Sequence, residues 1–192
     1  PRTILNLFRR IVSRRFLCRR AVWALREVTM TVSAGEWIGV VGANASGKST
    51  LLRLIAGIYR PTVGTLSVTG AVTAFLRLGV PLEMNLTVEE NIHLFATVMG
   101  ISRARIRELL PEILSFADLQ DFRYCPVRDI SSGMLQRLQF SVLRLTEADI
   151  YLLDEVTGNA DLRFQKKCVQ VLKRFSAAGK AGIIVTHDLS LI

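Results

Sequence analysis

An α/β fold with a mainly parallel sheet is predicted, and three observations carry the prediction. Short apolar runs at 37–41, 150–153 and 182–186 alternate with stretches that repeat apolar residues at helical spacing. A Gly-rich loop, Gly42-Ala43-Asn44-Ala45-Ser46-Gly47-Lys48-Ser49, stands between one such strand and a helix. The block from about 88 to 146 carries helix signals and no strand signal, so it should form a helical subdomain beside the sheet.

The elements follow in order. Trp37–Val41 is apolar and bounded by glycines, as a buried strand is. Lys48 to Ile58 reads as a helix with Leu51, Leu52, Leu54 and Ile55 on its apolar face, and Arg60-Pro61-Thr62-Val63-Gly64 as a turn. Thr65–Val68 and Ala71–Leu76 read as short strands joined at Gly70. Thr87-Val-Glu-Glu90 is a capping box, which starts a helix running from about 88 to 99. Ser102 starts another through Ile106, Leu109, Ile113 and Leu114, with Pro111 predicting a kink or a break. Ser131–Ala148 reads as a helix and Ile150–Leu153 as a strand that delivers Asp154-Glu155. Asp161 can N-cap a helix that stops at Gly179, and Gly182–Thr186 is the last strand.

A length of 192 residues, half of them apolar, fits one folded domain with a sizeable core. No apolar run reaches the roughly 18–20 residues that cross a bilayer, and there is no secretory signal. Cys18, Cys125 and Cys168 are widely spaced and odd in number, which argues against a disulfide framework or a zinc site and for a reducing cytosol. The net charge of +9 is uneven. Residues 1–20 hold seven arginines (2, 9, 10, 14, 15, 19 and 20) and no acid. That segment is set apart from 21–192: it is either a solvated terminus or a face for anionic lipid, nucleic acid or an acidic partner.

Gly42-x4-Gly47-Lys48-Ser49 matches the phosphate-loop pattern in its proper strand–loop–helix setting. Glycines let the backbone wrap so that N–H groups point inward, and the helix N-terminus adds partial positive charge. Lys48 brings a full charge to the β- and γ-phosphates, and the Ser49 hydroxyl can ligate Mg2+. Asp154 would hold the same ion through water. Glu155 stands where it could orient or deprotonate an attacking water. Alone, a strand ending in Asp-Glu could be a surface turn; paired with the loop it predicts a nucleotide site at the C-terminal edge of the sheet.

Three further stretches fall in a fixed order: Ile130-Ser131-Ser132-Gly133-Met134-Leu-Gln-Arg137 ahead of the Asp-Glu strand, Thr157-Gly-Asn-Ala-Asp161 after it, and Ile184-Val-Thr-His187-Asp188. With the phosphate loop, the set resembles the nucleotide-binding subunit of ABC transporters across nearly all of 21–190. Ser-Ser-Gly-Met in the signature, with "AGIYRPTVGTL", "LTVEENI" and "FQKKC", resembles the subgroup that exports polysaccharides such as O-antigen or teichoic acid.

The resemblance implies a P-loop ATPase core with an inserted helical subdomain, about 80–146, and a homodimer with ATP and Mg2+ at its interface. Gly42, Asn44, Ala45, Ser46, Gly47, Lys48, Ser49 and Thr50 would cradle the phosphates. Trp23 would stack on adenine, or else pack on the sheet edge. Ser131, Ser132 and Gly133 would meet the γ-phosphate across the dimer, although Ser131 or Ser132 would serve equally as a plain helix cap. Asp161 would report across the same interface, and His187 would contact the γ-phosphate and help align Glu155. His93, mid-helix, reads as packing or surface.

A membrane-spanning permease would be the partner, contacting the exported glycan itself, and the chain would sit on the cytoplasmic face of the membrane. Nucleic acid is not expected. Departures from the family pattern are Ala45-Ser46 where it has more glycine, and Arg77 near its usual Gln, so no ligand is assigned there. Both ends read as trimmed. Two alternatives stand beside this reading: a soluble ABC ATPase acting on nucleic acid, which salt-dependent duplex binding would favour, and a weakly hydrolysing nucleotide-binding regulator, which turnover measurements would separate.

Overall fold

A computed structural model of the chain describes residues 22–76, 82–156 and 161–186. Arg77, His187, the segment 157–160 and the arginines of 1–20 lie outside the described residues. Four strands, β1 (Trp37–Val40), β2 (Val72–Phe75), β3 (Ile150–Asp154) and β4 (Ala181–Val185), form one parallel sheet in the order β1-β4-β3-β2. The helices are α1 (Lys48–Ile55), α2 (Val88–Val98), α3 (Arg103–Ala117), α4 (Ser132–Leu143) and α5 (Leu162–Ala177).

Alternation along the inner strands loads both faces of the sheet. Leu152, Ile183 and Val185 pack with Leu52 of α1 on one side. Tyr151, Leu153 and Ile184 join Phe164, Cys168, Val171 and Leu172 of α5 on the other. Trp37, Tyr151 and Phe175 form a stack, with ring centroids 6.3 and 4.4 Å apart. Gly182 lies under that indole: a Cβ there would come within 2.4 Å of the ring. Burial pushes the Cys168 thiol up to about 12, so it packs as a small apolar group.

The α5-side core runs without interruption into α2, α3 and α4 through Ile92, Phe95, Ile106, Ile113 and Leu138. Phe116, Phe140 and Phe164 meet at 5.6 to 6.4 Å between centroids, one ring from each of α3, α4 and α5. The turn into α2 is fastened by Asn91, which is fully buried. Its amide donates to the carbonyls of Glu83, Leu86 and Thr87 and accepts from the Glu83 N–H, at 2.9–3.1 Å.

Four element boundaries differ from the sequence expectation, each for a local reason. α1 stops before Ile58 because Gly57 takes a positive φ of 71°. Its N–H then bonds Leu54 O while Ile58 N–H bonds Arg53 O, both at 2.9 Å, closing the helix. α4 ends at Leu143, where the Thr146 hydroxyl donates to Leu143 O at 2.7 Å. Pro111 does not break α3: it and Arg107, whose carbonyl loses its helical donor, both lie on the exposed side of the helix. Thr65–Val68 has strand-like alternation yet forms no strand, since no ladder partner lies beside it among the described residues.

Candidate nucleotide site

The sheet register sets the stage. Val40 pairs with Val185, and Asp154 pairs with the same residue from the other side, so three strands end level at one edge. There β1 runs into the Gly-rich loop, β3 presents Asp154 and Glu155, and β4 passes to Thr186. The Glu155 N–H donates to Val185 O at 2.9 Å, holding Glu155 in a left-handed conformation, φ 52°. A non-glycine residue in that region carries strain of about 1–3 kcal/mol, a feature that concentrates at functional positions.

A cleft of about 400 Å3 opens at this edge. Asn44, Ala45, Ser46 and Gly47 line it together with Lys48, Ser49 and Thr50, the first turn of α1, and with Asp154 and Glu155. The exposed Val22, Trp23 and Ala24 stand at its mouth, and Trp23 is 65% exposed.

Gly47 takes φ 94° as the cap of α1. A Cβ on it would lie 2.3 Å from Ala24 O, so only glycine lets the loop pass under the incoming chain. Ala45 also takes a positive φ, 63°, although it carries a side chain.

Two polar contacts organise the interior. The Lys48 ammonium donates to Gly42 O at 2.6 Å and Ala43 O at 2.8 Å. The Ser49 hydroxyl donates to Asp154 Oδ2 at 2.8 Å, and Asp154 is 4% exposed. No acidic residue stands in the first turn of α1, so its N-terminal partial charge and the ammonium act together on an anion.

Among the described residues no group of three or more His, Cys, Asp or Glu gathers as a metal cluster. Mg2+ requires none: it is a hard ion held by one or two protein oxygens, phosphate and water. A hydroxyl and a carboxylate in mutual contact beside an anion cradle suit it.

The other predicted residues lie elsewhere. Ser131, Ser132 and Gly133 start α4 and do not line this cleft. Ser131 caps the helix, accepting from the Met134 N–H at 3.2 Å, and Ser131 and Ser132 are exposed. Asp161 caps α5, its Oδ1 accepting from the Phe164 N–H at 2.9 Å. That bond above all, with help from nearby Arg137, holds its carboxyl below the usual range. His187 lies outside the described residues.

Sequence reasoning gave no role to Ala24, whose importance is a backbone oxygen and carries no side-chain signal. Arg137 closes the signature stretch in the sequence but carries no assigned role there; its ion pairs come from helices distant in the chain.

Residues 25–158 match the ABC transporter family. The chain is 40% identical over 171 residues to the O-antigen export system ATP-binding protein RfbB of Klebsiella pneumoniae, covering 89% of this chain and 70% of that protein. It is 42% identical over 170 residues to the teichoic acids export ATP-binding protein TagH of Levilactobacillus brevis, covering 88% of this chain and 47% of that one. Among solved structures, a dimeric ATP-binding cassette in a post-hydrolysis state with ADP and Pi superposes with a TM-score of 0.75 at 25% identity. That superposition spans 88% of this chain and 82% of the other.

Proposed function

This chain belongs to the ABC transporter family, and from that premise we propose that it is the ATP-binding and ATP-hydrolysing subunit of an exporter that moves a polysaccharide or lipid-linked glycan across the cytoplasmic membrane. The observation that carries the ATPase reading is the 2.8 Å contact of Ser49 with Asp154 beside the Lys48 cradle. Similarity to relatives named for O-antigen and teichoic acid export supports the glycan. No helix among the described residues is long and apolar enough to cross a membrane, so the spanning path falls to a permease partner.

Each residue has a task in this reading. Lys48 turns its ammonium from the two loop carbonyls to the β- and γ-phosphates of ATP. The loop N–H groups from Asn44 to Thr50 and the α1 terminus hold the remaining phosphate charge. Trp23, at the mouth, offers its ring to adenine, a contact worth about 1–3 kcal/mol. Ser49 and Asp154 hold Mg2+, which when bound neutralises charge developing on the phosphates. Glu155 orients the attacking water and accepts its proton. Ser131 and Ser132, exposed at the head of α4, and the half-buried Gly133 serve the nucleotide of a second copy. Asp161 and His187 complete the interface. ATP closes the pair, hydrolysis reopens it, and the helical block transmits the change to the permease.

Glu155→Gln is the decisive variant. It should bind Mg-ATP as the parent does while turnover collapses, by about 100-fold or more. Near-parental hydrolysis would overturn the role. Turnover measured with and without the lipid-embedded permease tests the transport assignment: the partner should stimulate it.

A further inference from the structure

Arg137 sits one turn beyond the signature residues on α4 and is mostly buried, its side chain 18% exposed. Its guanidinium Nη1 lies 3.6 Å from Asp161 Oδ2 and 3.8 Å from Asp118 Oδ2. Asp118 ends α3 in a left-handed conformation, φ 55°. Its carboxylate also accepts from the Lys167 ammonium of α5 at 3.0 Å, and that ammonium donates to Phe116 O at the same distance. Asp161 divides its oxygens: Oδ1 caps α5, and Oδ2 faces Arg137.

Charges thus alternate Asp161, Arg137, Asp118, Lys167 across three helices: the C-terminus of α3, the body of α4 and the N-terminal half of α5. Both Arg137 contacts are longer than a hydrogen bond, so the hold is Coulombic and tolerates small sliding. One nitrogen, Nη1, faces both carboxylates, so a single cation serves two helices. Ion pairs at this length whose carboxylates still reach solvent add little stability, so their use is better sought in geometry. Only 157–160 and Val156 separate Glu155 from Asp161.

We propose that Arg137 is a positioning residue for ATP turnover: through Asp118 and Asp161 it holds the signature helix against the end of α3 and the start of α5. The proposal rests on the reading of Glu155 given above.

The test uses the full chain. Arg137→Gln should lower kcat about tenfold, while KM and the affinity for Mg-ADP stay within about twofold. Arg137→Lys should recover part of the loss. Asp118→Asn should act in the same direction, and the double variant Arg137→Gln/Asp118→Asn should be no slower than Arg137→Gln alone. An unchanged kcat, or a loss confined to KM and Mg-ADP affinity, overturns the proposal. Hydrogen exchange reads the linkage without turnover: amides in the first turn of α5, 162–166, should exchange faster in Arg137→Gln, and unchanged exchange also overturns it. A parent chain that hydrolyses nothing and matches Glu155→Gln would sink the ATPase reading instead, leaving the exchange result to decide the linkage.

Discussion

At Gly47 a single missing carbon decides whether the cleft exists. Ala24 O would stand 2.3 Å from any Cβ, and φ is 94°. Gly47→Ala should therefore destabilise the chain by about 1–3 kcal/mol and weaken nucleotide binding, as read by urea unfolding and by Mg-ADP titration. Ser49→Ala should lose the Mg2+-dependent part of nucleotide affinity and keep the rest, because Lys48 and the loop amides remain. The side chains of this loop were legible in the sequence since the motif is a list of side chains at fixed spacing. Its tightest contact was not legible, because it is made by a main-chain oxygen from residues far off in the chain.

Helices and strands were read correctly where local chemistry decides them. The capping box at Thr87 and Glu90 is formed, with Glu90 accepting from the Thr87 N–H at 2.8 Å. Asp161 and Gly179 bound α5 as expected. Errors arose where an apolar pattern outran its stop, as at Gly57, or where alternation lacked a neighbour, as at Thr65–Val68.

Asn91 belongs to this scale too: a polar residue on the buried face of α2, it joins one helix to the turn before it. Asn91→Leu should cost about 1–3 kcal/mol in urea unfolding, since it takes the acceptor from the Glu83 N–H and withdraws a donor from three carbonyls.

The pairing of Glu89 with Arg123, at 2.6 and 2.8 Å, ties α2 to the loop at 123. The two hydrogen bonds hold the Glu89 carboxyl below its ordinary 4.5, so the folded state binds that proton less readily than the unfolded one. The pair's contribution is full above that value and lost as pH falls through the lowered one. Glu89→Gln should accordingly melt below the parent at pH 7, and the gap should narrow as the solution is acidified past 4.5.

For the molecule as a whole, the level ends of β1, β3 and β4 gather phosphate loop, carboxylates and the approach to His187 at one edge, while the signature helix faces elsewhere. A chain so divided suits pairing with another copy. Glu155→Gln with Mg-ATP should shift from the 21.4 kDa monomer to twice that mass in light scattering, and ADP should not produce the shift.

The same layout gives the protein a built-in optical gauge. Its two tryptophans occupy opposite surroundings. One indole stands 65% exposed at the cleft mouth, while the other rests against Tyr151 with its N–H tied to Lys180 O at 3.0 Å. Red-edge emission from Trp23 would respond to an arriving nucleobase while the bluer light of Trp37 follows unfolding, so one unlabelled sample can register occupancy and integrity at once.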